Sequence, residues 1–287
     1  MLRPNCLTAV LLVFLVSALA VARPVRHAQA ARPAAAAATT YTFVAYGDTR
    51  SFPDVHRTVV AEILRQHPDF VLETGDCVLD GGDKSEWDVF DSVIAPIRAA
   101  HIPYYPARGN HDLGQYYRRE VQDPTMSGNG FYYVFERHKN LFIAVDCFED
   151  DDPGSDQYQW LEKCLQYGQT HDVNTFVFFH ESPFSVGPHG PNPESRQYLH
   201  PLFVKYHPRC VFCGHDHLYY RTVRDGVTYL VTGGGGAELY QPTHASLAIP
   251  GDFYQSVHHI IRLDVAGAHV TGTVLTPDDK VIDRFSL

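Results

Sequence analysis

The chain has 287 residues, 45% of them hydrophobic, with 33 acidic against 23 basic side chains and a formal net charge of −10. That length and apolar content suit one large packed domain or two small ones. The acidic balance argues against a nucleic-acid polymer as partner, because gripping a phosphate backbone needs a basic face.

Arg3 precedes an apolar run over residues 7–22, and Ala18, Ala20 and Ala22 offer small-residue cleavage sites, so 1–22 is predicted to be a secretory signal peptide. At about 16 residues the run is short for a membrane span, which predicts an exported protein, periplasmic or extracellular, with no stable span once the signal is removed. Residues 23–40 are rich in Ala and contain Pro without periodicity, and read as a disordered lead-in. A single domain is expected over 41–287, since no fixed-period repeat or polar tract marks a boundary within it.

Residues 41–46 are aromatic and β-branched, predicting a strand that ends in Gly47-Asp48; helical spacing follows over 53–66. A strand over 69–73 leads to Gly75-Asp76, a helix over 84–99 carries Trp87, Phe90, Ile94 and Ile97 on one stripe, and a strand over 104–107 leads to Gly109-Asn110-His111-Asp112. This βαβαβ series implies a parallel core sheet. Beyond it, 131–136 and 141–146 resemble a hairpin, a helix is expected over 155–167, and an apolar strand over 175–179 ends at His180. After a Pro- and Gly-rich loop, a helix over 196–206 precedes a strand over 209–213. Five alternating strands, at 219–223, 227–231, 258–264, 269–276 and 281–285, finish the chain. His258 and His259, adjacent on the fourth of these, are expected to face opposite ways.

Loss of the signal removes Cys6 and leaves Cys77, Cys147, Cys164, Cys210 and Cys213, an odd number. Cys210 and Cys213 sit on one strand, which sends them to opposite faces roughly 10 Å apart, so they do not bridge. A Cys147–Cys164 bridge is geometrically open, but five buried apolar thiols are the default.

The short polar signatures fall at the exits of predicted strands, where open α/β sheets place their sites. Taken singly, Asp48 and Asp76 read as turn residues or helix caps, and His180 as a core histidine. Taken together with Asn110 and with His215 and His217, which share a face if their segment is extended, they read as a metal site. The run Gly233-Gly234-Gly235-Gly236 lacks a P-loop lysine and reads as a tight connection near that site.

The ordered set Gly47-Asp48, Gly75-Asp76, Gly109-Asn110-His111-Asp112, His180 and Gly214-His215-Asp216-His217 resembles the calcineurin-like metallophosphoesterases. The 182–190 loop, the glycine run and the β-rich end are similar to the purple acid phosphatase branch. The resemblance implies an α/β fold, a four-layer α/β/β/α sandwich of two mixed sheets flanked by helices. It implies two divalent or trivalent ions (Fe, Mn or Zn), the first held by Asp48, Asp76 and His217, the second by Asp76, Asn110, His180 and His215. A metal-bound hydroxide would then attack phosphorus in a small phosphoester, a phosphomonoester or alternatively a diester; a relative that binds phosphate or metal without turnover is the other alternative. His111 would contact the phosphoryl oxygen or protonate the leaving group, oriented by Asp112, with His189 a second candidate acid. The chain departs from the family at Arg50, where many relatives carry a ligating histidine, and at Leu79, where the purple branch carries a tyrosine. Arg50 would then grip phosphate or form a structural ion pair.

Overall fold

A computed structural model describes residues 40–121 and 126–287, so the predicted signal peptide and nearly all of the predicted lead-in lie outside the described residues. The first half contains β1 (Thr40–Tyr46), α1 (Pro53–Arg65), β2 (Phe70–Glu73), α2 (Lys84–Ala99) and β3 (Tyr104–Pro106). The middle follows with β4 (Ser127–Gly128), β5 (Tyr133–Arg137), β6 (Asn140–Ala144), α3 (Asp156–Thr170) and β7 (Thr175–Phe178). A π-helical turn (Ser195–Leu199) runs into α4 (His200–Tyr206), and the chain closes with β8 (Cys210–Cys213), β9 (Tyr219–Arg224), β10 (Val227–Thr232), β11 (Phe253–Gln255), β12 (Ile260–Ala266), β13 (His269–Leu275) and β14 (Val281–Ser286).

Strands whose residues are apolar at every position need cover on both faces. In β7, Phe176 and Phe178 point into the core between two sheets, while Val177 and the following Phe179 point toward α3 and α4. In β1, Phe43 and Ala45 point into the same central core, and Val44 and Tyr46 point toward α1 and α2. Phe43 stacks on Phe70 at 5.1 Å and meets Phe142 and Phe176 edge-on, each at 5.3 Å. The result is the expected four-layer α/β/β/α sandwich. One sheet has the order β14-β13-β12-β1-β2-β3, the other β11-β9-β10-β8-β7-β6-β5-β4.

Within the first sheet β1, β2 and β3 are parallel, and β12 pairs antiparallel with β1; in the second, β6, β7, β8 and β10 are parallel. The C-terminal ends of the parallel strands of both sheets therefore open toward one region. Ser155 caps α3 by accepting from the Tyr158 amide at 3.1 Å, and Asp83 caps α2 through the Ser85 amide at 2.8 Å. Neither Asp48 nor Asp76 caps a helix, so both carboxylates are left for the site.

One expectation fails locally. His258 and His259 precede β12 instead of lying on it; His259 is buried, with its ring Nε2 3.1 Å from the Thr232 hydroxyl. The five described cysteines are free, so Cys147 and Cys164 are not bridged, and Cys210 and Cys213 face different cores as the strand period requires.

Candidate metal centre

The polypeptide turns sharply as it leaves three strands. Asp48, Asp76 and His215 each follow a glycine and adopt φ of 58°, 61° and 70°, a conformation costly for residues with a Cβ. That turn folds each side chain back over its strand end. Close approach of the Gly214 backbone to the Asp48 carboxylate makes it possible: a Cβ on Gly214 would lie 2.5 Å from Asp48 Oδ2. The glycine run 233–236 backs onto the same turn, the Gly235 and Ala237 amides donating to the carbonyls of Gly47 (2.8 Å) and Asp48 (2.9 Å).

This local geometry corrects the first reading of the two histidines. The segment 214–218 is not extended, so His215 and His217 do not share a strand face. His215 Nδ1 lies 3.1 Å from His180 Nε2, whereas His217 Nε2 lies 3.4 Å from Asp48 Oδ1.

Six of the expected residues are brought together. His180, fully buried, hydrogen-bonds the Thr74 carbonyl through Nδ1 at 2.9 Å, and that bond fixes the proton on Nδ1 in the neutral ring. Its Nε2 lone pair then faces Asn110 Oδ1 at 3.1 Å, His215 Nδ1 at 3.1 Å and Asp76 Oδ1 at 3.4 Å. His217 is fixed in the same manner, Nδ1 bonding the Glu238 carbonyl at 2.6 Å and leaving Nε2 toward Asp48. Donor atoms of Asp48, Asp76 and His217 all lie within 4.8 Å of one another. Second partners that lock the tautomer are the usual companions of ligating histidines.

The electrostatics follow from this crowding. Burial opposes ionisation of Asp76, but His180, the His111 amide, His111 and Arg50 outweigh it and hold the carboxyl below its ordinary range. Burial, reinforced by His180 and His189, pushes His215 down to about 2. Glu73, one residue before the second turn, is buried and driven well up by burial and by Asp112, with Oε1 left without a partner.

Arg50 is 14% exposed and reaches into the cluster, with Nε donating to Asp76 Oδ2 at 3.2 Å and Nη2 3.5 Å from His217 Nε2. His111 lies at the edge: its amide donates to Asp76 Oδ1 at 2.9 Å, and its ring Nδ1 donates to the Leu79 carbonyl at 2.7 Å. Asp112 does not orient that ring. Its Oδ2 accepts from the amides of Asp76 (2.8 Å) and Gly109 (2.9 Å), and its Oδ1 from the Val78 amide (3.2 Å), so it clamps two loops together. Burial and the adjacent Asp76 push Asp112 up to about 7, against the pull of the Gly109 and Val78 amides. His189 is exposed, with its ring 4.0 Å from that of His215 and its amide bonded to Asp216 Oδ1 at 3.0 Å.

Two features have no forecast in the motifs. Tyr240 stacks on His217 at 4.0 Å and 15°, its hydroxyl in the field of Arg50. Asp216, between the two histidines, accepts from Ser185 Oγ as well as from His189 and so anchors the 182–190 loop. An acid flanked by two site histidines was the available signal for it.

The sequence model of the calcineurin-like phosphoesterases matches residues 41–219, a span that contains every residue of this cluster. The chain belongs to that family. Among curated relatives of this calcineurin-like phosphoesterase, a nucleotide pyrophosphatase/phosphodiesterase of Hordeum vulgare is 26% identical over 221 residues, 62% of this chain and 60% of that one. A probable inactive purple acid phosphatase 27 of Arabidopsis thaliana is 26% identical over 60% of this chain and 35% of its own length. Tartrate-resistant acid phosphatase type 5 of Rattus norvegicus is 26% identical over 70% of this chain and 74% of its own. The chain thus spans 60% and 35% of the first two of these relatives. Purple acid phosphatase PPD1 from yellow lupin (Lupinus luteus) shares the fold with a TM-score of 0.76 at 22% identity, over 87% of this chain and 54% of that one. Among the described residues no helix is long and apolar enough to cross a membrane.

Proposed function

We propose that this calcineurin-like phosphoesterase is an exported phosphomonoesterase that works with two metal ions. One observation carries the reading: two histidines held through Nδ1 on backbone carbonyls turn Nε2 toward carboxylate, amide and imidazole donor atoms, a convergence that a bound cation would satisfy. The donor set fits the group. Asp48, Asp76 and His217 would hold one ion, and Asp76, Asn110, His180 and His215 the other, with Asp76 shared; mixed oxygen and imidazole ligands suit iron, manganese or zinc. Bound, the pair would supply Lewis-acid charge for an in-line displacement at phosphorus.

The chain's own groups do the rest. Arg50 is anchored through Nε on Asp76, with Nη1 on Ser51 Oγ (3.3 Å) and Nη2 near His217 Nε2 (3.5 Å), and would turn Nη1 and Nη2 to a phosphoryl oxygen to bind and orient the ester. His111 carries a proton on Nδ1 toward Leu79; its protonated Nε2 gives a proton to the departing oxygen. His189, exposed at the rim with its ring 4.0 Å from that of His215, is the second candidate to supply that proton. The domain in this reading runs over 41–287, because β12 to β14 complete the sheet that carries Asp48. Export rests on the predicted signal over 1–22.

A second reading rests on Arg50. Its guanidinium already contacts Asp76 and His217, donors of the first site, and its charge can stand where the first ion would. Elemental analysis coupled to turnover of a chromogenic monoester and diester separates these readings. The proposal expects two ions per chain and faster cleavage of the monoester. One ion, rising to two in Arg50→His, favours the second reading; faster diester cleavage assigns the substrate class of the Hordeum vulgare relative. No metal and no turnover after addition of iron, manganese or zinc overturns both. In Asp76→Asn, metal content and turnover should fall together while the fold persists.

A further inference from the structure

The loop that carries His189 over the cluster has a second side. Phe184 and Ser185, near its start, line a cavity of about 430 Å3 whose other walls include Arg196, His200 and Arg224. Val223, Leu247 and Ile249 form an apolar rim, each between 42% and 49% exposed. The Phe184 ring carries both guanidiniums, Arg196 at 5.1 Å and Arg224 at 5.5 Å from its centroid, and meets His200 edge-on at 4.9 Å.

The two arginines are not consumed by the protein. Arg224 is held entirely through Nη2, which donates to the Tyr220 hydroxyl (3.0 Å), the Leu247 carbonyl (3.1 Å) and Asp252 Oδ2 (3.2 Å). Its Nε is buried without a partner. Arg196 makes no side-chain hydrogen bond or ion pair among the described residues. The acids nearby are engaged: Asp252 with Arg224 and the Tyr220 hydroxyl, and Asp225 with His200 Nε2 at 2.9 Å, its own side chain 73% exposed.

We propose that this cavity binds a small organic anion, its carboxylate or phosphonate-like head held by Arg196 and the unused donors of Arg224, its apolar body over Phe184, Val223, Leu247 and Ile249. Guanidinium donors without a protein partner are free to take an anionic acceptor, and their planar fork matches two oxygens. The volume falls in the range of small-molecule sites. In a chain of net charge −10, a wall with an unpaired arginine is a local exception that selects for negative charge. The site stands apart from the metal cluster, sharing with it only the 182–190 loop, in which Ser185 Oγ donates to Asp216.

Calorimetric titration with phenylacetate, phenylphosphonate and neutral phenylacetamide tests this, with and without saturating orthophosphate. Phenylacetate, phenylphosphonate or both should saturate one site per chain in the presence of orthophosphate, and which of them does so identifies the head group. Phenylacetamide should bind at least about tenfold more weakly. Arg196→Gln, at an exposed side chain, should leave the melting temperature unchanged and weaken binding about tenfold, and Arg196→Gln with Arg224→Gln should abolish it. The proposal is overturned by loss of binding when orthophosphate is present, by equal binding of phenylacetamide, by unchanged affinity in Arg196→Gln, or by no saturation up to about ten millimolar of either anion.

Discussion

Replacing Asp112 by alanine separates a structural clamp from a catalytic partner. The carboxylate takes three buried amides, those of Asp76, Val78 and Gly109, and so ties the Gly75-Asp76 turn to the Gly109-Asp112 turn. Each buried N–H left unpaired costs roughly 1–3 kcal/mol, a gross loss of roughly 3–9 kcal/mol. Against this stands the cost of keeping a carboxyl buried beside Asp76, the same causes that push it up to about 7, worth at most about 4 kcal/mol. Taken from the middle of the gross loss, this leaves a net destabilisation of about 2 kcal/mol, and of about 5 kcal/mol at most, a large share of a typical domain's roughly 5–15 kcal/mol. Urea unfolding reads it as a lowered midpoint at unchanged slope. The geometry also ranks the variants. In Asp112→Asn the amide oxygen can keep the two bonds now made by Oδ2, while its NH2 confronts the Val78 N–H, so the loss should be about half that of alanine. A stability change under about 1 kcal/mol in Asp112→Ala, with turnover gone, would refute the clamp and return Asp112 to service of the His111 ring.

Gly214→Ala puts a Cβ 2.5 Å from Asp48 Oδ2, so metal content should fall with turnover; full metal occupancy in that variant would show that the turn yields cheaply. His111→Ala should keep its metal and lose about 10²- to 10⁴-fold in turnover on esters with poor leaving groups, and far less on nitrophenyl esters; metal loss would instead make His111 a ligand. Burial pushes the Asp151 carboxyl up to about 7, so the native state binds that proton more tightly than the unfolded chain and stability falls as pH rises from the ordinary carboxylate range to about 7. Asp151→Asn, which keeps the Gln157 hydrogen bond now 2.9 Å long, should therefore gain roughly 1–3 kcal/mol at pH 8 and nothing near pH 3.5; denaturant midpoints at the two pH values decide it.

The architecture was legible where apolar residues ran continuously. The runs at 41–46, 175–179 and 209–213 announce strands buried on both faces, and the heptad-like stripe of Trp87, Phe90, Ile94 and Ile97 announces a helix against them. The edge strands β4 and β11 were not legible, being two and three residues of exposed or half-exposed chain with no period to read. The π-helical turn at the start of the predicted 196–206 helix was hidden for a related reason, since a widened turn leaves the side-chain pattern nearly unchanged. At the centre, the identities of Asp48, Asp76, Asn110, His180, His215 and His217 could be read from short motifs. Their geometry could not, because it depends on left-handed turns at Asp48, Asp76 and His215 and on carbonyls of Thr74 and Glu238 that no motif names. Asp112 misled for the same reason: proximity in sequence to His111 suggested a pair, while its partners are amides, two of them more than thirty residues away.

The pairing of β1 with β12 joins Thr40 to Ala266, near opposite ends of the described chain. The strand that delivers Asp48 therefore gains its second neighbour only from residues more than two hundred positions further along the chain. A chain interrupted after residue 219 would still carry every residue of the metal cluster, yet present β1 as a bare row of amides and carbonyls, an invitation to self-association. Closure of the sheet that carries Asp48 is thus left to strands that come late in the described chain.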